Sequence, residues 1–261
     1  MLALYHFPDA ICAMKVRIAL AEKGLEWESR VVEPRALRSP EYLAINPNGV
    51  VPALIHNGSV LIESRIISEY LEDAYPEPHL MPADALGRHR VRLWSKQIDD
   101  SLHANIFVLS FIISMRDMFL AMPDHIRDKA LPGHHDPIKL ERSREMLEKG
   151  FESRFAKLAL ARFQHVMADM ETSLANEPWL AGSQYTLADA DYTPYLSRLT
   201  NLGLSALWQD KPHVTAWFER VKARPSFKQG ILDWFTPEDN ARFAANIEKA
   251  ASHIRQWALA A

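Results

Sequence analysis

The one cysteine of the chain, Cys12, falls in the first turn of a helix predicted to open at Ala10. Unpaired N–H groups and the helix dipole there favour a thiolate. Lys15 and Arg17 lie close in sequence and add positive potential. The competing reading is a small buried hydrophobe, a common fate of a free cysteine. Val51-Pro52 follows a turn and begins a strand. A proline cannot donate to a sheet ladder, so it belongs at a strand start or edge. A cis bond would free the Val51 N–H and C=O for an extended peptide ligand, whereas trans is the ordinary state of an X-Pro bond. Glu63-Ser64 opens another helix. The pair reads as a plain cap, or as N–H groups and a hydroxyl offered to a carboxylate. His103 lies on a long helix just before an apolar run, where a lone histidine is usually surface or satisfied core. His134-His135 with Asp136 has metal-ligand types, but adjacent residues in a loop read as solvated.

These residues need a scaffold. Leu2–His6 is an apolar strand candidate, and Ala10–Lys23 reads as a helix stopped by Gly24. Trp27–Glu33 reads as a second strand, and Ser39-Pro40-Glu41 opens a short helix. Val50–Ile55 and Val60–Ile62 flank Asn57-Gly58, the strongest short hairpin signal. Arg65–Tyr75 follows as a helix, with Ile66, Ile67, Tyr70 and Leu71 on its apolar side. The order is β-α-β, helix, hairpin, helix. The proline-rich stretch Tyr75–Pro82 is the best boundary in the chain, dividing residues 1–80 from 81–261.

Beyond it strand signals vanish. Asp84–Phe119 reads as a long, kinked helix, Pro123–Pro137 as a loop, and Ile138–Asn176 as helical around Gly150. Thr186-Leu187-Ala188-Asp189 is a capping-box variant opening a helix through Leu202. Pro212–Ala223 and Pro225–Phe235 read as short helices, and Asp239–Leu259 as a terminal amphipathic one.

Composition narrows the function. Lys plus Arg is 30 and Asp plus Glu 33, a net charge of −3, which excludes a strongly basic nucleic-acid binder. The longest apolar stretch, Ala104–Met115, falls short of the roughly 18 residues of a membrane span. No secretory pattern stands at the N-terminus. One cysteine excludes an internal disulfide and a thiolate-rich zinc site, and no metal site is expected. A soluble, cytoplasmic protein is the expectation, with neither nucleic acid nor membrane as partner.

Taken together, Lys15–Gly24, Asn46–Leu54 with Glu63–Leu71, and Leu180–Leu187 with Ala188-Asp189 resemble the glutathione transferase superfamily over nearly the whole chain. The resemblance implies an α+β fold: a thioredoxin-like domain with a mixed four-stranded sheet, which binds glutathione as co-substrate, then an all-α domain forming the second substrate's pocket. It implies that the Val51 backbone pairs with the cysteinyl part of glutathione before a cis Pro52. Glu63 and Ser64 would hold the γ-glutamyl end, and Arg38 or Arg35 the glycine carboxylate. A homodimer is also implied.

The chain departs from the common pattern at the activating residue. Zeta-like members have Ser where this chain has Ala10, and omega-like members have Cys there. Cys12 instead falls where beta-class transferases and tetrachlorohydroquinone-type dehalogenases carry a reactive cysteine. Trp94–His103 resembles the beta-class helix whose histidine lies near it. Tyr5 is a fallback hydrogen-bond donor. β-Aryl-etherases share the sequence style, including Glu69–Asp73, and ganglioside-induced-differentiation-like proteins share Arg198–Gly203. The leading expectation is addition of glutathione thiolate to an apolar, aromatic electrophile. Phe107, Phe111, Met115 and Met118 could line its pocket. The alternatives are reductive dehalogenation, β-ether cleavage, or a non-catalytic binding protein. The terminal segment Trp234–Ala261 could cover the pocket or finish the core.

Overall fold

Strand β1 (Leu2–His6) buries Leu2, Ala3, Leu4 and His6, as befits an interior strand. In the computed structural model, which describes residues 1–133 and 136–260 without the side chains of 249, 252 and 254–260, β1 lies inside a four-stranded sheet. The spatial order is β2 (Glu28–Val31), β1, β3 (Ala53–His56), β4 (Ser59–Ile62). β1 runs parallel to β2 and antiparallel to β3, and β3–β4 is the predicted Asn-Gly hairpin. Edge strand β2 is exposed along its length.

Helix α1 (Ile11–Glu22) is apolar nearly all round and is buried from Ile11 to Leu20, except half-buried Cys12. A helix with no polar face needs cover on every side. α1 gets it from α3 (Ser64–Ala74) and from the second half of the chain. A short helix, α2 (Pro40–Leu43), precedes β3. The linker after α3 is clamped by buried Glu72, which accepts from the Leu80 and Met81 N–H groups and pairs with Lys23 at 2.6 Å.

The predicted long helix is α4, Ala85–Leu120. Two π-helical segments, Ile98–Leu102 and Phe111–Met115, interrupt its α-helical ladder, the kind of break at which long helices bend. It is long and apolar enough to span a bilayer, yet half of its most apolar window is buried by the rest of the protein, so it is a core helix. Pro123–Pro137 is not simply a loop. It holds α5 (Asp124–Ala130), with Asp124 in its first turn and Arg127 and Lys129 in its last, matching the helix dipole. His134 and His135 lie outside the described residues. The stretch around Gly150 splits into α6 (Pro137–Lys149) and α7 (Arg154–Leu174), because Gly150 takes φ +53°.

α8 (Leu187–Asn201) opens with the predicted capping box, in which Thr186 and Asp189 satisfy each other's backbone groups. α9 (Pro212–Lys222) and α10 (Pro225–Gly230) follow. The helix expected through Phe235 ends at Gly230, and a short 3₁₀ turn covers Leu232–Trp234. The terminal helix is α11 (Pro237–Ala260).

α10 seals the two halves of the chain against each other. A Cβ at Gly230 would stand 2.7 Å from Ile18 Cγ1 and 3.0 Å from the Ile18 nitrogen. Gly230→Ala is therefore expected to cost about 1–3 kcal/mol of stability through overpacking. A urea midpoint equal to that of the parent chain would refute this close approach.

Candidate active site

Sheet register gathers the predicted residues at one end. Tyr5 of β1 faces Ala53 of β3, and Ala53 faces Ile62 of β4. The end of β1, the Val51-Pro52 step and the Glu63-Ser64 step are therefore neighbours. Val51-Pro52 is cis, contrary to the ordinary trans state. The Val50 carbonyl accepts from the Tyr42 hydroxyl at 2.8 Å and Asn46 Nδ2 at 2.7 Å. Among the described residues the Val51 backbone has no hydrogen-bond partner. Asn48 Nδ2 donates to Glu63 Oε1 at 3.3 Å, tying the turn to the next element.

Glu63 is not a plain cap. Its φ of +68° lies in the left-handed region, and its side chain makes no capping bond to α3. Such strain persists where surrounding structure fixes it, and it clusters at functional sites. Ser64 stands close enough to Cys12 to help lower its thiol. Arg38 is exposed, with its guanidinium packed over the Asn46–Gly49 turn. A Cβ at Gly49 would come 2.9 Å from Arg38 Nη1, and Gly49 itself has φ +61°. Arg35 is also exposed on the same 3₁₀ turn, Pro34–Arg38.

Cys12 and His103 meet. Cys12 Sγ lies 3.7 Å from Nδ1 and 3.9 Å from Nε2 of His103. His103 follows directly on the first π-helical segment of α4, which re-aims the chain at that point. Burial pushes the Cys12 thiol up, but His103, Lys15 and the Ser64 hydroxyl together hold it below the usual cysteine range. The contact with Cys12 raises His103 above the usual histidine range, against burial and Lys15. The two shifts run in the directions that favour thiolate beside imidazolium, and Cys12 is half-buried against His103 rather than sealed in the core.

Of the two cations near Cys12 in sequence, only Lys15 acts on it. Lys15 is buried and pairs with Asp191 of α8 at 3.3 Å. Arg17 turns away, donating to Gly230 O at 2.8 Å and Pro8 O at 2.8 Å, with His6 Nδ1 at 3.0 Å. Burial lowers Arg17 to about 9, and His6 falls to about 4 through burial and then Arg17. The loop before α1 is pinned at Asp9 by Arg198 of α8 and by Arg242 of α11, the latter at 3.3 Å. The terminal segment thus both finishes the core, burying Phe243 and Ala250, and reaches the loop beside Cys12.

Other expectations fare differently. The Tyr5 hydroxyl accepts from Arg30 at 2.9 Å on the β2 side, and its ring lies against Tyr42. The apolar path on α4 is not one surface. Phe111 is fully buried and stacks on Phe119, Phe107 and Met115 are half-buried, and Met118 is exposed. Sequence reading missed Tyr195 of α8, whose hydroxyl lies 3.2 Å from His103 Nδ1. It also missed Asp191, the partner of Lys15. Both sit just after the legible capping box, a position that points to α8 without marking its face.

A mixed sheet with a cis-proline strand entry, packed on an all-helical partner with a thiol at the seam, defines a class of thiol-handling proteins. Residues 4–79 match the glutathione S-transferase N-terminal domain and residues 116–225 its C-terminal domain. The chain belongs to the glutathione S-transferase family. It is 31% identical to protein LigF of Sphingobium sp. (strain NBRC 103272 / SYK-6), covering 87% of this chain and 92% of that one. The solved β-etherase LigF superposes with a TM-score of 0.77 at 29% identity, over 88% of this chain and 98% of that structure. Glutathione S-transferase 3 of Zea mays is 31% identical, covering 88% and 93%. The tetrachloro-p-hydroquinone reductive dehalogenase of Sphingobium chlorophenolicum is 26% identical, covering 87% and 94%.

Proposed function

We propose that this chain is a glutathione-dependent transferase acting on an apolar, aromatic electrophile. The convergence of Cys12, His103 and Ser64 beside an unpaired Val51 backbone carries this reading. Glutathione would add as a short strand at Val51, before Pro52, with Glu63 and Ser64 at its γ-glutamyl end and Arg38 at its glycine carboxylate. Its thiolate forms a carbon–sulfur bond, and the leaving group departs with the electron pair of the broken bond. Residues 1–80 hold the tripeptide in this reading, and 81–261 wall the second substrate.

A second reading is favoured by the low-lying Cys12 thiol, which is suited to thiol exchange. In reductive dehalogenation, a first glutathione displaces the halide. Cys12 thiolate then attacks the sulfur of that conjugate; the electron pair of the carbon–sulfur bond stays on the arene carbon, which takes a proton from water, and Cys12 is left joined to glutathione. A second glutathione restores Cys12 and departs as glutathione disulfide. β-Ether cleavage needs only the first displacement, with a phenolate leaving. LigF and the dehalogenase carry names of these two kinds.

Products identified by mass spectrometry, with wild type and Cys12→Ala run in parallel on aromatic halides, epoxides and β-aryl ethers, test both. Thioethers formed by both proteins on the halides or epoxides support the first reading, and phenols released from the ethers support β-ether cleavage. Glutathione disulfide matched to a reduced product, lost in Cys12→Ala, supports the second. No turnover, and no retention of the chain on immobilised glutathione, would sink both in favour of a non-catalytic binding protein.

The free thiol suits the reducing cytoplasm. Membership of the glutathione S-transferase family supports a homodimer. Light scattering that returned the 29.8 kDa of one chain would refute it.

A further inference from the structure

Tyr195 lies one turn beyond Asp191 on α8 and is 1% exposed. Its hydroxyl sits 3.2 Å from Nδ1 of His103, its one hydrogen bond among the described residues. A buried hydroxyl without a partner is costly, and phenylalanine would fill the same space without that risk. Packing alone therefore does not account for the phenol oxygen at this place.

His103 needs a partner of this kind. The sulfur of Cys12 is nearly equidistant from both ring nitrogens, so that contact does not choose between them. The groups that face the imidazole are Cys12 and Lys15 from α1, Asp99 from the preceding turn of α4, and Tyr195 from α8. Lys15 is committed to Asp191 and Asp99 to Arg65, the latter at 3.1 Å. Apart from Cys12, Tyr195 is the one described residue that bonds a ring nitrogen, with its own ring nearly perpendicular to the imidazole at 81°.

We propose that Tyr195 is a positioning residue for the Cys12–His103 pair: its hydroxyl holds Nδ1, so that Nε2, 3.9 Å from the sulfur, carries the ring proton. When His103 takes a second proton at Nδ1, the same oxygen accepts it as a hydrogen bond, since a phenol both donates and accepts. α8 thus serves the site twice on adjacent turns, through Asp191 to Lys15 and through Tyr195 to His103. The proposal rests on Cys12–His103 being the reactive pair.

The test titrates the Cys12 thiolate by its ultraviolet absorbance and by its alkylation rate at neutral pH. It compares wild type, Tyr195→Phe, His103→Ala and the double variant. His103→Ala is expected to move the titration upward and to slow alkylation about 10- to 100-fold, the worth of a charge-assisted contact. Tyr195→Phe should slow it about 3- to 10-fold in the same direction, the worth of one neutral hydrogen bond. In the His103→Ala background, Tyr195→Phe should add nothing further. Imidazole nitrogen chemical shifts give a readout that packing would not move: Nδ1 unprotonated in neutral wild type, mixed tautomers in Tyr195→Phe. A Tyr195→Phe effect that is absent, or equal with and without His103, overturns the proposal while leaving the pair intact. A His103→Ala protein that titrates like wild type overturns the pair itself, and the proposal with it.

Discussion

Asp189→Ala is expected to lower the free energy of unfolding by about 4 kcal/mol, measured by urea denaturation. The carboxyl is fully buried and, among the described residues, makes no ion pair. Oδ1 accepts from the Leu180 N–H at 3.0 Å and from Trp217 Nε1 at 2.8 Å. Oδ2 accepts from the Thr186 N–H at 2.9 Å and its hydroxyl at 3.2 Å. Alanine would leave two backbone N–H groups and an indole N–H without an acceptor in a core that excludes water, each at about 1–3 kcal/mol. The capping box that starts α8 goes with them, and α8 carries Asp191, Tyr195 and Arg198 to the site. Asp189→Asn keeps one oxygen and the shape, so it should cost about half as much. A loss under about 1 kcal/mol for alanine would show that these donors find other partners.

Asp189 also marks what kind of feature could be read from the sequence. Thr186 through Asp189 is a local motif, in which spacing along the chain fixes the contact. The same holds for β1, for the Asn57-Gly58 hairpin and for the Val51-Pro52 strand entry, each legible in the order of its residues. The chemistry of Cys12 was half legible. Its place at a helix start could be read, but Lys15 and Arg17 looked equivalent beside it. Only packing shows that Arg17 turns to His6 and Gly230, while Lys15 stays near the thiol. Tyr195 stayed hidden for the same reason. α8 is buried on every face over most of its length, so hydrophobic periodicity does not say which side meets α4. The length of α4 was legible in its sequence. The π-helical segments that interrupt it, one of them ending just before His103, leave no mark in hydrophobic periodicity.

Lys15→Met is expected to cost about 3–5 kcal/mol, the usual consequence of removing one partner of a buried ion pair. Lys15 Nζ and Asp191 Oδ1 stand 3.3 Å apart, both side chains 2% exposed, joining α1 to α8 beneath Cys12. Asp191 Oδ2 accepts from Ser95 Oγ at 2.8 Å, but Oδ1 has no hydrogen bond, so Lys15 is what compensates it. Burial already raises the Asp191 carboxyl above the usual range, with Lys15 pulling it back. Without Lys15 that carboxyl rises further. A group with a raised folded pKa binds more protons folded than unfolded, so stability falls as pH rises from the unfolded carboxyl range through the folded value. The loss in Lys15→Met should therefore be smallest in acid and grow toward neutral pH. Lys15→Met with Asp191→Asn should recover most of it, because no charge stays buried and Ser95 keeps its acceptor. A pH-independent loss, or a double variant no more stable than Lys15→Met, would mean that side-chain volume rather than charge holds this seam. The thiol supplies an independent check. Lys15 draws Cys12 down from the position burial gives it, so Lys15→Met should also slow Cys12 alkylation at neutral pH. The seam between the two halves of the chain and the reactivity of the thiol above it then rest on the same ammonium group.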